Sequence, residues 1–467
     1  VNASAQPVAS LPDHRLAKKV AELPFTDLGN AKRLVKVHGQ DLRYSPFGWL
    51  VWDGRRWRSD GDGAVMRRMH DTVASMRTEA ANLGAKGDEL WKHANKSESD
   101  QRLSAAVRQA QHLEAVLIPA VELDAHPYRL TALNGTVDLT TGELQAHSRG
   151  DLLTKLAPVE YDAGAVDPRW ERFIGQTTGG DAELAGFLQR AAGYSLTGDT
   201  GEEVLFLAHG PAATGKSTLL ETLKATLGEM AVTADFETFL KRRDGGGPRN
   251  GIAQLAGARF VASIEVDEGR ELAEALVKTI TGGDTVRGSF MYRDSFEFVP
   301  AFKLWLAANH APAVSDDDDA IWRRIVRVPF DNQVPPGERD RTLKAHLRQP
   351  NAAVLAWMVE GCLAWQERGL DVPESVTAAT ETYRDAMDPL AEFLDQRCTL
   401  DPRASVPKAA LHAAYEAWAR EQGVEPVSRQ VLGKRLARAG AETGRAYVNG
   451  KRVWIWRGLT LREATDA

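Results

Sequence analysis

The sequence predicts an α/β protein: a phosphate-loop NTPase core, preceded by an α+β domain and followed by a C-terminal winged helix. Three observations carry this. Across residues 203–335, apolar strand-like runs alternate with helical patterns, as in a parallel sheet covered by helices. That segment opens on VLFLAHGPAATGKSTLLETL, in which the run Val204–Ala208 leads into a loop framed by Gly210 and Gly215. The last stretch, 390–461, reads as three helices and a hairpin with many basic side chains.

Composition removes several classes. Of 467 residues, 43% are hydrophobic and 26% charged, ordinary for a chain with sizeable cores. There is no apolar run of about 18 residues, so no membrane span is expected, and the N-terminal residues lack the apolar region of a secretory signal. A cytoplasmic setting is the expectation. The two cysteines, Cys362 and Cys398, exclude a disulfide framework and a multi-cysteine zinc site. A net charge of −6 excludes a wholly basic nucleic-acid coat, so any nucleic-acid binding must use local patches.

Residues 1–25 read as a flexible lead. In TDLGNAKRLVKVHG, Thr26 or Asp27 caps a helix with Leu28, Leu34, Val35 and Val37 as apolar positions and Gly39 as its stop. Asp53-Gly54 lies between Trp49–Trp52 and Trp57, a hairpin signal because such a turn needs positive φ. Residues 62–118 are helical in pattern. Residues 127–165 return to short strands, with turns at Asn134-Gly135 and Thr141-Gly142. Asp167-Pro168 opens a helix with Trp170, Phe173 and Ile174 inward, and a second helix runs from about Asp181 to Tyr194. The expected organisation is therefore a lead (1–25), an α+β domain (26–165), a helical collar (166–202), the ATPase core (203–335), a helical lid and linker (336–388) and a winged-helix DNA-binding domain (389–467).

The loop Gly210-Pro211-Ala212-Ala213-Thr214-Gly215-Lys216-Ser217-Thr218 has the spacing G-x-x-x-x-G-K-[ST]. Backbone N–H groups and a helix N-terminus cradle phosphates there, Lys216 reaches the β/γ-phosphates, and the Ser217 hydroxyl ligates Mg²⁺. ATP or another nucleoside triphosphate is thus the expected ligand, with Mg²⁺ as cofactor. A carboxylate at the end of a neighbouring strand should complete the metal site, and Glu265, ending the strand Phe260–Ile264, is the candidate for metal and water activation; Asp267 or Glu268 could share the work. KLWLAANH is another strand, ending in Asn309, an amide placed to orient water or sense the γ-phosphate. Arg323 and Arg324 are adjacent and should point apart: one is a candidate arginine finger for a neighbouring subunit, and the other a partner for the Asp316–Asp319 run or a local carboxylate.

Taken in order, GPAATGKST, RFVASIEVDEGRELAEALVKTITGGDTVRGSFMYRDSFEF, PAFKLWLAANHAP and AIWRRIVRVPF resemble the superfamily 3 helicase core of phage and plasmid primase-helicases, relatives of the poxvirus primase-helicase. The resemblance is dense over 203–330 and weaker on either side. It implies an AAA+-like ring subunit with Lys216 and Ser217 in the phosphate loop, Glu265 in the second acidic motif, Asn309 as sensor and Arg323 or Arg324 as finger. It further implies a pore-lining β-hairpin around Lys278, Arg287, Tyr292 and Arg293, with translocation 3′ to 5′. One departure is that Ile264 stands before Glu265, where many such cores carry two adjacent acids, so the choice of base stays open.

Read from the residues alone, TVRGSF and SFEFV form a hairpin whose Arg287, Tyr292 and Arg293 suit phosphate contact and base stacking. Between Ser428 and Arg457 there are eight basic residues and one acidic. Lys434 and Arg438 share a helix face away from the Val431, Leu432 and Leu436 stripe, and Lys451 and Arg452 follow the Asn449-Gly450 turn, as a winged helix needs for DNA contact. The expected activity is that of an ATP-dependent DNA helicase for phage, prophage or plasmid replication. Its expected partners are single-stranded and forked DNA, further copies of itself in a ring such as a hexamer, and a separate primase or polymerase, with no membrane. A bifunctional primase-helicase, a non-unwinding DNA-binding switch or loader ATPase, and a small-molecule kinase are the rival readings.

Overall fold

The computed structural model describes residues 23–83, 87–241, 250–264, 270–289, 295–314, 319–335, 337, 339–387, 389–423, 426–448 and 450–462. The expected lead falls almost wholly outside them. α1 (Asp27–His38) is capped by Thr26, whose hydroxyl accepts from the Gly29 N–H at 3.0 Å. Leu28, an expected inward position, is exposed.

An antiparallel meander follows, β1 (Leu42–Ser45), β2 (Gly48–Trp52) and β3 (Trp57–Ser59). Its second link sits where Asp53-Gly54 predicts, but it is longer than a two-residue turn. The Asp53 carboxylate accepts from the N–H groups of Arg55 and Arg56, both at 2.9 Å, which closes a wider loop before Trp57 pairs with Trp52. α2 (Ala64–Asn82), α3 (Gly87–Ser97) and α4 (Asp100–Ala110) then share one apolar core with α1, built on Leu34, Val65, Met69, Val73, Met76 and Leu103.

A second meander, β4 (Arg129–Thr131), β5 (Thr136–Asp138) and β6 (Glu143–Gln145), matches the predicted turns. The sequence groups it with the N-terminal helices. Its inward side chains instead join a different core: Leu130, Val137 and Leu139, with Val159 and Tyr161 beyond, pack with α5 (Pro168–Thr177), α6 (Ala182–Tyr194) and one face of the central sheet. Asp167 and Asp181 cap α5 and α6 through their carboxylates.

The central sheet is formed by β7 (Leu205–His209), which leads through the phosphate loop into α7 (Lys216–Leu227), then β8 (Ala231–Thr233) and, after the short α8 (Asn250–Ala253), β9 (Phe260–Ile264). α9 (Glu274–Thr281) precedes an antiparallel hairpin, β10 (Val286–Ser289) and β11 (Ser295–Phe298). β12 (Lys303–Ala308), the one-turn α10 (Asp319–Trp322) and β13 (Ile325–Pro329) complete it. Its five strands are parallel, in the order β13-β7-β12-β9-β8.

Alternation along each strand splits the side chains between two cores. Phe206, Phe260, Trp305 and Val328 face α5–α7, whereas Leu205, Leu207, Val261 and Leu306 face α9 and α10. At the edge away from the loop, two buried cations fasten the preceding chain to the sheet. Arg259 donates to the Leu196 and His126 carbonyls at 2.9 Å, and Lys303 to the Asp199 carbonyl at 3.0 Å.

After α11 (Leu343–Leu347), α12 (Ala352–Arg368) buries Met358, Val359 and Cys362 in the α5–α7 core, and α13 (Glu374–Ala386) covers β13 with Tyr383 in the opposite core. The C-terminal unit has its own core. It contains α14 (Pro389–Arg397), β14 (Cys398–Pro407), α15 (Lys408–Glu421), α16 (Arg429–Arg438) and the hairpin β15 (Glu442–Val448) with β16 (Lys451–Leu461). The sheet order is β14-β16-β15. β14 is absent from the sequence reading, because Pro402 and Pro407 argue against a strand. The structure accommodates Pro402 by a register shift between Leu400 and Ser405. Among the described residues, no helix is long and apolar enough to cross a membrane.

Candidate active site

The phosphate loop leaves β7 at the C-terminal edge of the sheet and turns by left-handed backbone at Ala213 (φ 64°) and Gly215 (φ 98°). Gly210 is required on two counts. Its φ is 153°, and a Cβ there would lie 2.1 Å from the Phe330 carbonyl oxygen at the end of β13. A Cβ on Gly215 would meet the Thr177 hydroxyl at 2.7 Å. The loop is therefore clamped between α5 and the chain leaving β13. Gln333 adds a hydrogen bond from its side-chain amide to the Ala212 carbonyl at 3.0 Å.

Lys216 opens α7 and is buried. Its ammonium donates to the carbonyls of Gly210 at 2.6 Å and Pro211 at 2.7 Å. Burial holds its pKa below the ordinary value, and the nearby Asp331 partly offsets this. A desolvated cation beside an α-helix N-terminus gives a strong field for a polyphosphate. Ser217 follows on the first turn of α7, half-buried, with a hydroxyl oxygen of the kind Mg²⁺ accepts.

Strand register lines up the other candidates. Ala308 pairs with His209 and Phe330 donates to the His209 carbonyl at 2.8 Å, so Asn309, exposed just after β12, stands at the same edge as Gly210. β9 ends one step short of this edge, Ile264 pairing with Ala307. Glu265, with Asp267 and Glu268, lies outside the described residues.

Arg323 and Arg324 do not point apart as expected. They occupy a turn between α10 and β13, and both reach one carboxylate, that of Glu203. Arg324 is buried, with Nη2 at 2.8 Å from Glu203 and Nη1 donating to the Ala320 carbonyl at 2.8 Å. Arg323 is 63% exposed and sits 3.3 Å from the same oxygen. Of the Asp316–Asp319 run only Asp319 is described, and it pairs with Arg384.

Sequence reasoning overlooked His209, Arg327, Asp331 and Gln333. The guanidinium of Arg327 donates to His209 Nδ1 and, at 2.9 Å, to the Ala379 carbonyl on α13, tying the strand before the loop to the helix above it. Burial, then Arg327 and Lys216, pushes the His209 pKa down to about 4 from an ordinary 6.5. The folded pKa is depressed, so this contribution to stability is complete above pH 6.5 and is lost as pH falls towards 4, where the unfolded chain takes up a proton first. Denaturant titrations should show lower stability at pH 5 than at pH 7, by about 1 kcal/mol from this half-buried group once solvent screening is discounted, and His209→Gln, which keeps an acceptor for Arg327, should remove that part of the slope.

The expected DNA-contacting residues are dispersed. Lys278 lies on α9, not on the hairpin, and Arg287 is exposed on β10 opposite Glu297. Tyr292 and Arg293, between β10 and β11 in the sequence, lie outside the described residues. Lys434 is exposed on α16 above buried Leu432 and Leu436. The Arg438 side chain is outside the description, and Lys451 and Arg452 are exposed at the start of β16.

Three family profiles match the chain in succession. They are D5 N terminal like over residues 31–179, the family of unknown function DUF5906 over 208–324, and Poxvirus D5 protein-like over 385–456. Similar curated proteins include candidate helicases of Acanthamoeba polyphaga mimivirus (24% identical over 295 residues, 58% of this chain and 30% of that protein) and Frog virus 3 (27% over 286 residues, 56% and 29%). A third, from Invertebrate iridescent virus 3, is 22% identical over 308 residues, 59% of this chain and 33% of that protein. The chain thus spans about a third of the length of these relatives. Among solved structures, an apo form of the NrS-1 C terminal region aligns at a TM-score of 0.45 and 13% identity, covering 77% of this chain and 89% of that one. The poxvirus-type resemblance seen in the sequence is borne out by D5-type profiles at both ends of the chain.

Proposed function

We propose that this chain, with D5-type segments on either side of its phosphate-loop sheet, is an ATP-dependent DNA helicase. In this reading it serves phage, prophage or plasmid replication in the cytoplasm of a bacterial host, although the curated relatives above are viral proteins. The observation that carries it is the phosphate loop itself: Lys216 buried at the head of α7, on the C-terminal edge of a five-stranded parallel sheet. The strand order, with β12 between the loop strand and the strand leading to Glu265, supports an AAA+-like superfamily 3 core. The helices and three-stranded sheet after residue 389 support a winged helix.

Each residue takes a role in the reading. The loop N–H groups from 212 to 217 and Lys216 hold the ATP phosphates. Ser217 and Glu265 hold Mg²⁺, whose charge offsets that of the phosphates. Glu265 orients the attacking water and Asn309 senses the γ-phosphate. Arg323, more exposed than Arg324, reaches the γ-phosphate of the next subunit, which requires a ring of copies. The β10–β11 hairpin, with Arg287 and the tip residues Tyr292 and Arg293, follows the strand, supported by Lys278.

The test is ATP hydrolysis with and without single-stranded DNA, together with unwinding of a forked duplex. DNA-stimulated hydrolysis with strand separation is expected. Hydrolysis indifferent to DNA, with duplex binding and no separation, would replace the helicase by a DNA-binding switch or loader.

A further inference from the structure

The C-terminal hairpin outruns its sheet. β14 ends at Pro407, opposite Ile455, whereas β15 and β16 stay paired as far as Val448 and Lys451. Residues 445–448 and 451–454 therefore project as a two-stranded ribbon. Alternation puts Arg445, Tyr447, Arg452 and Trp454 on one face, with Tyr447 opposite Arg452 and Arg445 opposite Trp454.

This face is unusual for exposed ribbon. Tyr447 is 76% exposed and Trp454 53%. The Arg445 guanidinium lies 4.1 Å from the Trp454 ring centre, and the Lys408 ammonium, at the head of α15, lies 5.6 Å from it and 4.0 Å from the Trp456 ring centre. The four residues of the face include no carboxylate, and the one acid of β15, Glu442, falls on the other side.

Large flat rings left in water beside cations suit a ligand that brings flat, unstacked rings and negative charge together. Duplex DNA offers a ribbon its phosphates and base edges, but keeps the base faces inside the stack. A single strand offers both phosphates and base faces. We propose that Tyr447 and Trp454 form a stacking site for the bases of single-stranded DNA, with Arg445, Arg452 and Lys408 holding its phosphates. The proposal rests on the helicase reading and adds to it a hold on the unpaired strand away from the ATPase core. Neither ring was among the DNA-contacting residues expected from sequence.

The test uses the full chain and an oligodeoxythymidine of about 20 nucleotides, with binding followed by anisotropy of a label on the DNA. Tyr447→Ala with Trp454→Ala should weaken binding about tenfold or more per ring. Tyr447→Phe with Trp454→Phe should stay close to wild type, because the rings are kept. Affinity for a blunt duplex of the same length, and ATP hydrolysis without DNA, should be unchanged in both variants. The proposal is overturned if the alanine pair binds the oligonucleotide as wild type does, if duplex binding falls equally, or if the phenylalanine pair loses as much as the alanine pair. A wild-type chain that hydrolyses ATP and binds the oligonucleotide, beside an alanine pair of equal affinity, would sink the stacking site alone. A wild-type chain that does neither would remove the helicase reading, and the stacking site with it.

Discussion

Lys216→Ala is expected to lower ATP hydrolysis about a thousandfold while leaving the fold in place. The ammonium is held at 2.6–2.7 Å by two loop carbonyls. That keeps it desolvated and aimed along the loop, so little reorganisation is needed when phosphate oxygens take their place. Its removal leaves those carbonyls unpaired but also frees the chain from burying a charge, and the two effects oppose each other. The net change in stability should be on the order of 1 kcal/mol. Steady-state hydrolysis and a thermal melt of the same preparation separate the two readouts. A variant that hydrolyses at the wild-type rate would remove Lys216 from the chemistry, and one that melts far lower would make its role structural.

Arg323 and Arg324 should separate just as sharply, and in opposite directions. Arg324 is buried against Glu203 and the Ala320 carbonyl. Arg324→Ala leaves both acceptors short of a donor, and unfolding should become easier by about 2–3 kcal/mol, discounted for the half-exposed carboxylate. Arg323 is 63% exposed and only grazes the same oxygen, so Arg323→Ala should melt as wild type does. Its hydrolysis should nevertheless fall about a thousandfold if it completes the site of a neighbouring copy.

Mixing tests that directly. A Lys216→Ala subunit still has its arginine, and an Arg323→Ala subunit still has its phosphate loop. Mixed rings should recover part of the activity that each lacks alone. No recovery on mixing would put the arginine's action within one chain. Full activity in Arg323→Ala would pass the role to Arg324.

Much of the architecture was legible because local chemistry dictated it. Thr26, Asp167 and Asp181 announce helix starts, and their side chains make the capping bonds. The G-x-x-x-x-G-K-S spacing leads to a strand, a left-handed loop and a helix, as the sequence predicts. The failures are of three kinds. β14 contains prolines that a local reading counts against a strand, yet its pairing partner β16, whose residues lie 48 to 63 positions further on, outweighs them. Arg327 reaches His209, Gln333 reaches the loop and Asp331 comes near Lys216 only because β13 is laid beside β7, and no spacing within the chain encodes that neighbour. Arg323 and Arg324 failed differently. Adjacent residues diverge on a regular helix or strand, but these two sit on a turn and converge on Glu203.

The second meander has a bearing on how such a protein can be taken apart. Leu130, Val137 and Leu139 are completely buried in the same apolar mass as Phe206, Trp305 and α12. Arg259 and Lys303, at the far edge of the sheet, spend their hydrogen bonds on carbonyls of residues 126 and 196–199. A fragment begun at residue 203, where the motifs start, would carry a greasy flank and two stranded cations. The phosphate-loop sheet is therefore not a cassette that can be lifted out at its motif boundaries. The packing of the sheet reaches back to about residue 126 and forward through α13, so any piece cut to keep it intact would have to carry both flanks along.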